Sequence, residues 1–96
     1  MKRTNTQTLG EVIKEYFKAL GLDKKMKEIS VINRWEEIIG RQVARATKDI
    51  FIEKSVLYLK IDSSVIKNEI LMLKKGLIKK INDEAEIVII TDIVVF

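Results

Sequence analysis

The amino-acid sequence predicts an α+β domain whose elements follow the order α–α–β–β–α–β. Three observations support this fold class. Apolar residues recur at helical spacing over residues 9–39 and again over residues 66–81. Between these regions apolar and polar residues alternate with the period of a β-strand, and the last segment is rich in β-branched side chains. Helices packed in one layer on a small three-stranded sheet would bury the apolar faces.

The first helix is predicted for residues 9–20. Thr8 and Glu11 have the spacing of a capping box, which marks a helix start. Gly21 is suited to the left-handed backbone that ends many helices. The apolar residues between them fall on one side of the helix, and we expect them to face the core: Leu9, Val12, Ile13, Tyr16, Phe17 and Leu20.

The second helical region begins near Asp23, a candidate N-cap, and Ser30 could cap a new segment within it. Gly40 is predicted to end the region or to allow a bend into a short last turn through Ala44. Trp35, the only tryptophan, lies on the apolar side, so we expect it between this helix and the sheet. The alternative is an exposed ring that stacks on bases. The other apolar positions are Ile29, Val31, Ile32, Ile38 and Ile39.

The middle and end of the chain predict a hairpin, a third helix and a third strand. Residues 50–52 and 57–61 alternate as two strands joined by the polar segment Glu53-Lys54-Ser55. Ser63 or Ser64 is expected to cap the third helix, and Asn82 to follow its last turn. Its buried positions are expected to be Ile66, Ile70, Leu73, Leu77 and Ile81. Residues 86–96 are apolar on both faces, which is typical of a strand covered on both sides.

Composition excludes several classes of function. The 96 residues form one domain's worth of chain, which we divide into a flexible basic arm (1–8) and a single domain (9–96). There is neither cysteine nor histidine, so thiol nucleophiles, imidazole bases and the commonest metal ligands are absent. We therefore predict no catalytic residues, no metal site, no cofactor and no enzyme. The sequence shows no membrane span or signal peptide, and we expect a cytoplasmic protein.

Three short motifs that suggest chemistry have simpler structural explanations. Glu36 and Glu37 are neighbours on a helix, about 100° apart, and do not converge as a catalytic pair. Gly40 stands alone, so no phosphate-binding loop can be built around it, and a structural role in ending the helix is expected. Ser63 and Ser64 have no histidine or adjacent lysine to activate them, so helix capping is favoured.

The charge distribution predicts a surface for a polyanion or an acidic partner. Residues 1–80 carry all 18 basic residues against ten acidic ones, whereas residues 81–96 carry four acidic residues and no basic one. A solvated surface would have the same composition, so both interpretations stay open. Lysine is a mobile point charge, so sequence-specific base recognition is not expected. The candidate nucleic-acid-binding residues are Lys2, Arg3, Arg41, Arg45, Lys48, Lys67, Lys74, Lys75 and Lys79.

Four segments together resemble the DciA family of bacterial proteins: "LGEVIKEYFKALGL", "INRWEEIIGRQVARAT", "VLYLKIDSSVIKNEILMLKKGLIKKIN" and "ITDIVVF". The resemblance covers residues 9–96, and Trp35 with Gly40 five residues later is among its most specific features. It implies a KH-like domain that recruits or loads the DnaB-type replicative helicase and binds single-stranded or tailed DNA without ATPase activity. Many members carry a basic extension beyond the domain, whereas these 96 residues end at Phe96 in an acidic segment. The sequence also has no G-x-x-G loop of the kind found in true KH domains.

We therefore expect a non-catalytic replication factor whose partners are the DnaB-type helicase and, weakly and salt-dependently, DNA. Two alternatives stay open: an RNA- or ribosome-binding KH-like module, and a protein-interaction adaptor that touches no nucleic acid. The terminal strand could pair between copies, so a monomer or a weak dimer is expected.

Overall fold

The computed structural model describes residues 8–96, and within them it confirms the α+β fold. The arm residues Lys2 and Arg3 therefore lie outside the described residues. The elements in chain order are α1 (Leu9–Ala19), α2 (Asp23–Asn33), α3 (Trp35–Ile39), α4 (Arg41–Ala46), β1 (Thr47–Glu53), β2 (Val56–Ile61), α5 (Ser64–Met72), α6 (Lys74–Ala85) and β3 (Asp92–Val95).

The sheet has the strand order β1-β2-β3 and is mixed. β1 and β2 pair antiparallel as the predicted hairpin, and β2 pairs parallel with β3. Parallel pairing requires a crossover connection, which α5 and α6 supply. Lys54 and Ser55 form the hairpin turn with φ of 50° and 65°. Positive φ at both turn residues suits the twist of the paired strands, although neither residue is the usual Asn or Gly.

One face of the sheet packs on the helices. Leu57, Leu59 and Ile61 of β2 are buried there with Ile93 of β3, because alternate residues of a strand point to the same face. The other face carries Phe51 and Tyr58, whose rings stack with centroids 4.8 Å apart. The expectation of a last strand covered on both faces is wrong, because Val94 is exposed and only Asp92–Val95 forms a strand.

The predicted third helix is two helices, α5 and α6, separated at Leu73. Ser63 caps α5 as expected, because its Oγ accepts a hydrogen bond from the Ile66 amide at 3.3 Å. Ile66 and Ile81 are buried, but Leu73 is 61% exposed, so its predicted place in the core is wrong. The predicted stripe assumed one straight helix, whereas α5 packs on β2 and β3, and α6 packs on α2 and β3.

Asn82 does not end a helix, contrary to expectation, because α6 continues to Ala85 and Glu86 takes the left-handed conformation instead. The Asn82 side chain serves the segment before β3. Its Nδ2 donates to the Ile90 carbonyl at 3.0 Å, and its Oδ1 accepts from the amides of Ile89 and Ile90 at 2.9 and 3.1 Å. The backbone groups of the buried residues Ile89 and Ile90 thereby have hydrogen-bond partners, although neither residue belongs to a strand.

The second helical region is three helices. Asp23 is the first helical residue and makes no capping hydrogen bond, so its predicted role as N-cap is wrong. The chain breaks at Arg34, not at Ser30, and again at Gly40, where φ is 94° and ψ is 160°. The predicted bend at Gly40 is confirmed. The short last turn continues through Ala46 as α4.

The first helix has the predicted capping box: Thr8 Oγ1 accepts from the Glu11 amide at 3.1 Å. Gly21 has a φ of 74°, as expected for a residue that follows a helix. The expectation that the apolar side of α1 faces the core is wrong for five of its six residues, and α1 packs chiefly on α2. The side chain of the sixth, Phe17, lies outside the described part of the structure. The exposed apolar residues of α1 and its end are Leu9, Val12, Ile13, Tyr16 and Leu20.

Candidate nucleic-acid and partner-binding surfaces

Trp35 and Gly40 position the basic residues that follow them. The Trp35 side chain is only 7% exposed, and its Nε1 donates to Thr47 Oγ1 at 3.1 Å. The same hydroxyl donates to the Val43 carbonyl at 2.7 Å. This chain of contacts joins α3, α4 and β1. A ring buried to this extent offers no face to a stacking base, so the arrangement favours the packing role.

Arg41, Arg45 and Lys48 lie close together as a result. Gly40 turns the chain so that α4 begins at Arg41, and Arg41 and Arg45 line an open hollow of about 540 Å³ together with Asp62. Lys48, in β1, forms an ion pair with Asp62, with 3.2 Å between Nζ and Oδ2. These three cations are called the α4 basic surface below.

The α4 basic surface is partly neutralised. Arg41 Nε lies 3.7 Å from Glu36 Oε2, and both side chains are well exposed. Arg45 has no carboxylate within 4.0 Å among residues 8–96. Exposed ion pairs contribute about 0–1 kcal/mol, so Arg41 and Lys48 can exchange their carboxylates for phosphates at little cost. The geometry suits contact with a polyanion backbone.

The lysines of α5 and α6 do not form one site with the α4 basic surface. Lys74 donates a hydrogen bond to Asp92 Oδ1 at 3.0 Å, and Lys79 donates to Asp83 Oδ2 at 2.8 Å. Lys67 and Lys75 have no carboxylate within 4.0 Å in the described part of the chain. Lys74 and Lys75 border a separate hollow at the junction of α5 and α6.

Two of these ion pairs shift pKa values while keeping the groups charged at neutral pH. The hydrogen bond to Asp83, reinforced by its charge, raises the pKa of Lys79. The hydrogen bond from Lys74, together with the bond from the Ile93 amide, lowers the pKa of Asp92. Lys74 and Lys79 are therefore cations already engaged by the protein itself.

Sequence reasoning missed a run of exposed apolar residues, Leu71, Met72 and Leu73, at the α5–α6 junction. The signal was present in the sequence, because Leu71 and Met72 do not fit the apolar stripe of the predicted helix. Residues 8–96 hold no cluster of three or more acidic side chains arranged to bind a metal ion. No helix in that range is long and apolar enough to cross a membrane.

A basic hollow and an exposed apolar junction on a small α+β domain are surface features of domains that bind other macromolecules. The chain belongs to the DciA family: the family model described as "Dna[CI] antecedent, DciA" matches residues 8–95. Membership indicates a helicase-loader role in DNA replication. No curated protein and no solved structure matches the chain significantly.

Proposed function

We propose that this protein is a non-catalytic replication factor that recruits or loads the DnaB-type replicative helicase and holds DNA beside it. The observation that carries the proposal is the family match over residues 8–95, nearly all of the chain. The mixed three-stranded sheet under helices is compatible with the KH-like domain that we propose. The cytoplasm, where the chromosome is replicated, is the proposed location.

We place the DNA contact on the α4 basic surface first. Arg45 is free of carboxylates among the described residues, and arginine can bind phosphate in a bidentate way. The contact would be with the backbone, so binding would be weak, salt-dependent and indifferent to sequence. The remaining candidates are secondary contacts: Lys67, Lys74, Lys75, Lys79 and, outside the described residues, Lys2 and Arg3.

Titration of a labelled single-stranded or tailed oligonucleotide at several salt concentrations tests the DNA contact. We expect affinity to fall steeply with salt, and Arg45→Ala to reduce the slope of log affinity against log salt by about one. Lys14→Ala removes an equal charge from α1 and serves as the matched control, with the wild-type slope expected. Absence of binding even in low salt would remove DNA from the proposal.

A pull-down in the presence of nuclease tests the helicase contact. Retention of the DnaB-type helicase after nuclease treatment would show a protein contact that needs no DNA bridge. Retention of the helicase by a protein that binds no DNA would favour the adaptor alternative. Tighter binding to RNA than to DNA of matched sequence would favour the RNA-binding alternative, because only RNA offers 2′-hydroxyl contacts.

A further inference from the structure

We infer that the α5–α6 junction is a docking surface for a protein partner that presents apolar side chains surrounded by carboxylates. The partner to be tested is the DnaB-type helicase, and this part of the inference rests on the proposed function. The surface consists of Leu71, Met72 and Leu73, and Lys75 lines the same hollow. Lys67 lies one helical turn before Leu71 on α5. We call these five residues the junction surface. It is distinct from the α4 basic surface.

The apolar side chains of the junction surface are exposed although they are large. Leu71 is 50% exposed, Met72 83% and Leu73 61%. Leu71 and Met72 are consecutive residues of α5 and point in directions about 100° apart, so one face of the helix cannot bury both. Nevertheless all three, with Leu73 at the break between α5 and α6, line one hollow. Large contiguous apolar patches on a protein surface mark sites of interaction.

The shape of the junction surface suits inserted side chains. A hollow of about 680 Å³ is lined by the continuous segment 71–77. A second hollow of about 150 Å³ is lined by Leu73, Leu77, Ile70, Ile39 and Val43, with Glu69 and Gln42 at its border. Leu73 and Leu77 line both hollows, so the two hollows adjoin each other. A helix that lays apolar residues into both hollows would cover Leu73 and Leu77.

The charges around these side chains favour an acidic partner. Lys67 and Lys75 have no carboxylate within 4.0 Å among residues 8–96, and Lys74 is held by Asp92 at 3.0 Å. Glu69 is the one acidic residue that borders either hollow. An apolar centre with cations at its rim is complementary to a partner with an apolar centre and an Asp/Glu rim.

The side-chain types favour protein over nucleic acid at this place. Single strands bind to surfaces where bases stack on aromatic rings, and the segment 71–77 contains no aromatic residue. Leucine and methionine offer nothing to phosphates. Methionine adapts its shape to apolar partners and is frequent on surfaces that bind protein helices. We therefore assign Lys67 and Lys75 first to the rim of a protein contact, and their contact with DNA stays secondary.

Binding of the full chain to the purified DnaB-type helicase tests the inference directly. We expect Leu71→Ser/Met72→Ser to weaken binding at least tenfold, and Lys67→Glu/Lys75→Glu to do the same. Leu9→Ser/Val12→Ser, which changes equally exposed apolar residues on α1, is the matched control with wild-type affinity expected. Wild-type affinity for the helicase in both junction variants would overturn the inference. It would also be overturned if these variants lost DNA binding but kept helicase binding.

A photoreactive residue in place of Met72, with one in place of Leu9 as control, tests the surface independently in cells. A cross-link from position 72 to the helicase, absent when Lys67 and Lys75 are changed to Glu, supports both the inference and the proposed function. A cross-link to another protein with the same lysine dependence supports the surface but contradicts the helicase role. Cross-links only to nucleic acid, or none above the Leu9 control, overturn the inference.

Discussion

At the scale of single residues, Trp35 is the side chain on which the arrangement of α3, α4 and β1 most depends. It is buried in the core and its indole N–H is satisfied by Thr47. Replacing it by alanine removes a large apolar volume that neighbours can refill only in part. The Thr47 hydroxyl would also lose the hydrogen bond that it accepts from the indole N–H, but it would keep the one that it donates to the Val43 carbonyl.

We expect Trp35→Ala to lower the free energy of unfolding by about 3–5 kcal/mol. Urea denaturation followed by circular dichroism measures the change. Lys75→Ala and Lys79→Ala, which remove exposed side chains, should shift stability by about 0.5 kcal/mol or less. An unchanged midpoint for Trp35→Ala would show that the indole is not packed in the core.

The Lys74–Asp92 ion pair predicts a pH effect. The pKa of Asp92 is lower in the folded state than in the unfolded state. The ionised carboxylate therefore stabilises the fold at any pH above the unfolded-state pKa. This stabilisation is lost as the pH falls through the lower, folded-state pKa. We expect Asp92→Asn to be less stable than wild type at pH 7, with the difference vanishing well below about pH 4. Urea midpoints across this range measure it. A difference that grows in acid would contradict the sign.

Some residue positions could be predicted from the sequence and others could not. The spacing of Trp35 among the isoleucines of its helix indicated burial, because periodicity reports which side of a helix is apolar. Leu73 had the same kind of spacing and is exposed, because periodicity assumes an unbroken helix. The break depends on how α5 and α6 pack on the sheet.

At the scale of elements, Gly40 determines how α3 is followed by α4. Its φ of 94° and ψ of 160° lie in a region that is essentially restricted to glycine. A Cβ added there would meet no atom within 4 Å. A side chain at this position would therefore destabilise the protein through unfavourable backbone φ and ψ angles and not through a steric clash with neighbouring residues.

We expect Gly40→Ala to destabilise the protein by about 1–3 kcal/mol. Gly76→Ala is the matched control, because Gly76 lies in α6 with equally open space around it. There alanine should stabilise the protein by about 0.5–1 kcal/mol. Thermal and urea denaturation compare the two variants. Equal effects of the same sign would contradict the assignment of strain to Gly40.

Element boundaries were predictable where a local capping interaction sets them. Thr8 with Glu11 and Ser63 with Ile66 lie within three residues of each other, so their sequence spacing carries the information. Asn82 was misjudged for the opposite reason. Its hydrogen bonds reach backbone groups seven and eight residues away, and no local pattern distinguishes that use from a helix-ending asparagine.

At the scale of the whole molecule, α1 is the element least involved in the core. The apolar side chains that the structure describes on α1 are exposed, and the helix packs chiefly on α2. Elements with few buried contacts contribute little to global stability. We expect a chain that begins at Leu22 to unfold cooperatively, with a free energy of unfolding within about 1 kcal/mol of that of the full chain. Urea denaturation followed by tryptophan fluorescence measures this, and loss of cooperative unfolding would show that α1 belongs to the core.

The function was predictable only in part from the linear sequence. The resemblance rests on segments spread over the whole chain, and the family match over residues 8–95 confirms it. The grouping of cations in the α4 basic surface could not be predicted. Arg41 and Lys48 come near each other because the chain bends at Gly40 and because Lys48 pairs with Asp62. Likewise, the exposure of Met72 depends on the break beside it.

The central position of β2 has a consequence for the order of folding. Its partner on one side, β1, is reached through a two-residue turn, whereas β3 pairs with it only after the intervening helices have been traversed. Distant pairings form more slowly than local ones because a longer loop must close. During synthesis on the ribosome, one edge of β2 therefore has no neighbouring strand until β3 emerges. Mutations that delay this pairing should increase misassembly more than they reduce equilibrium stability.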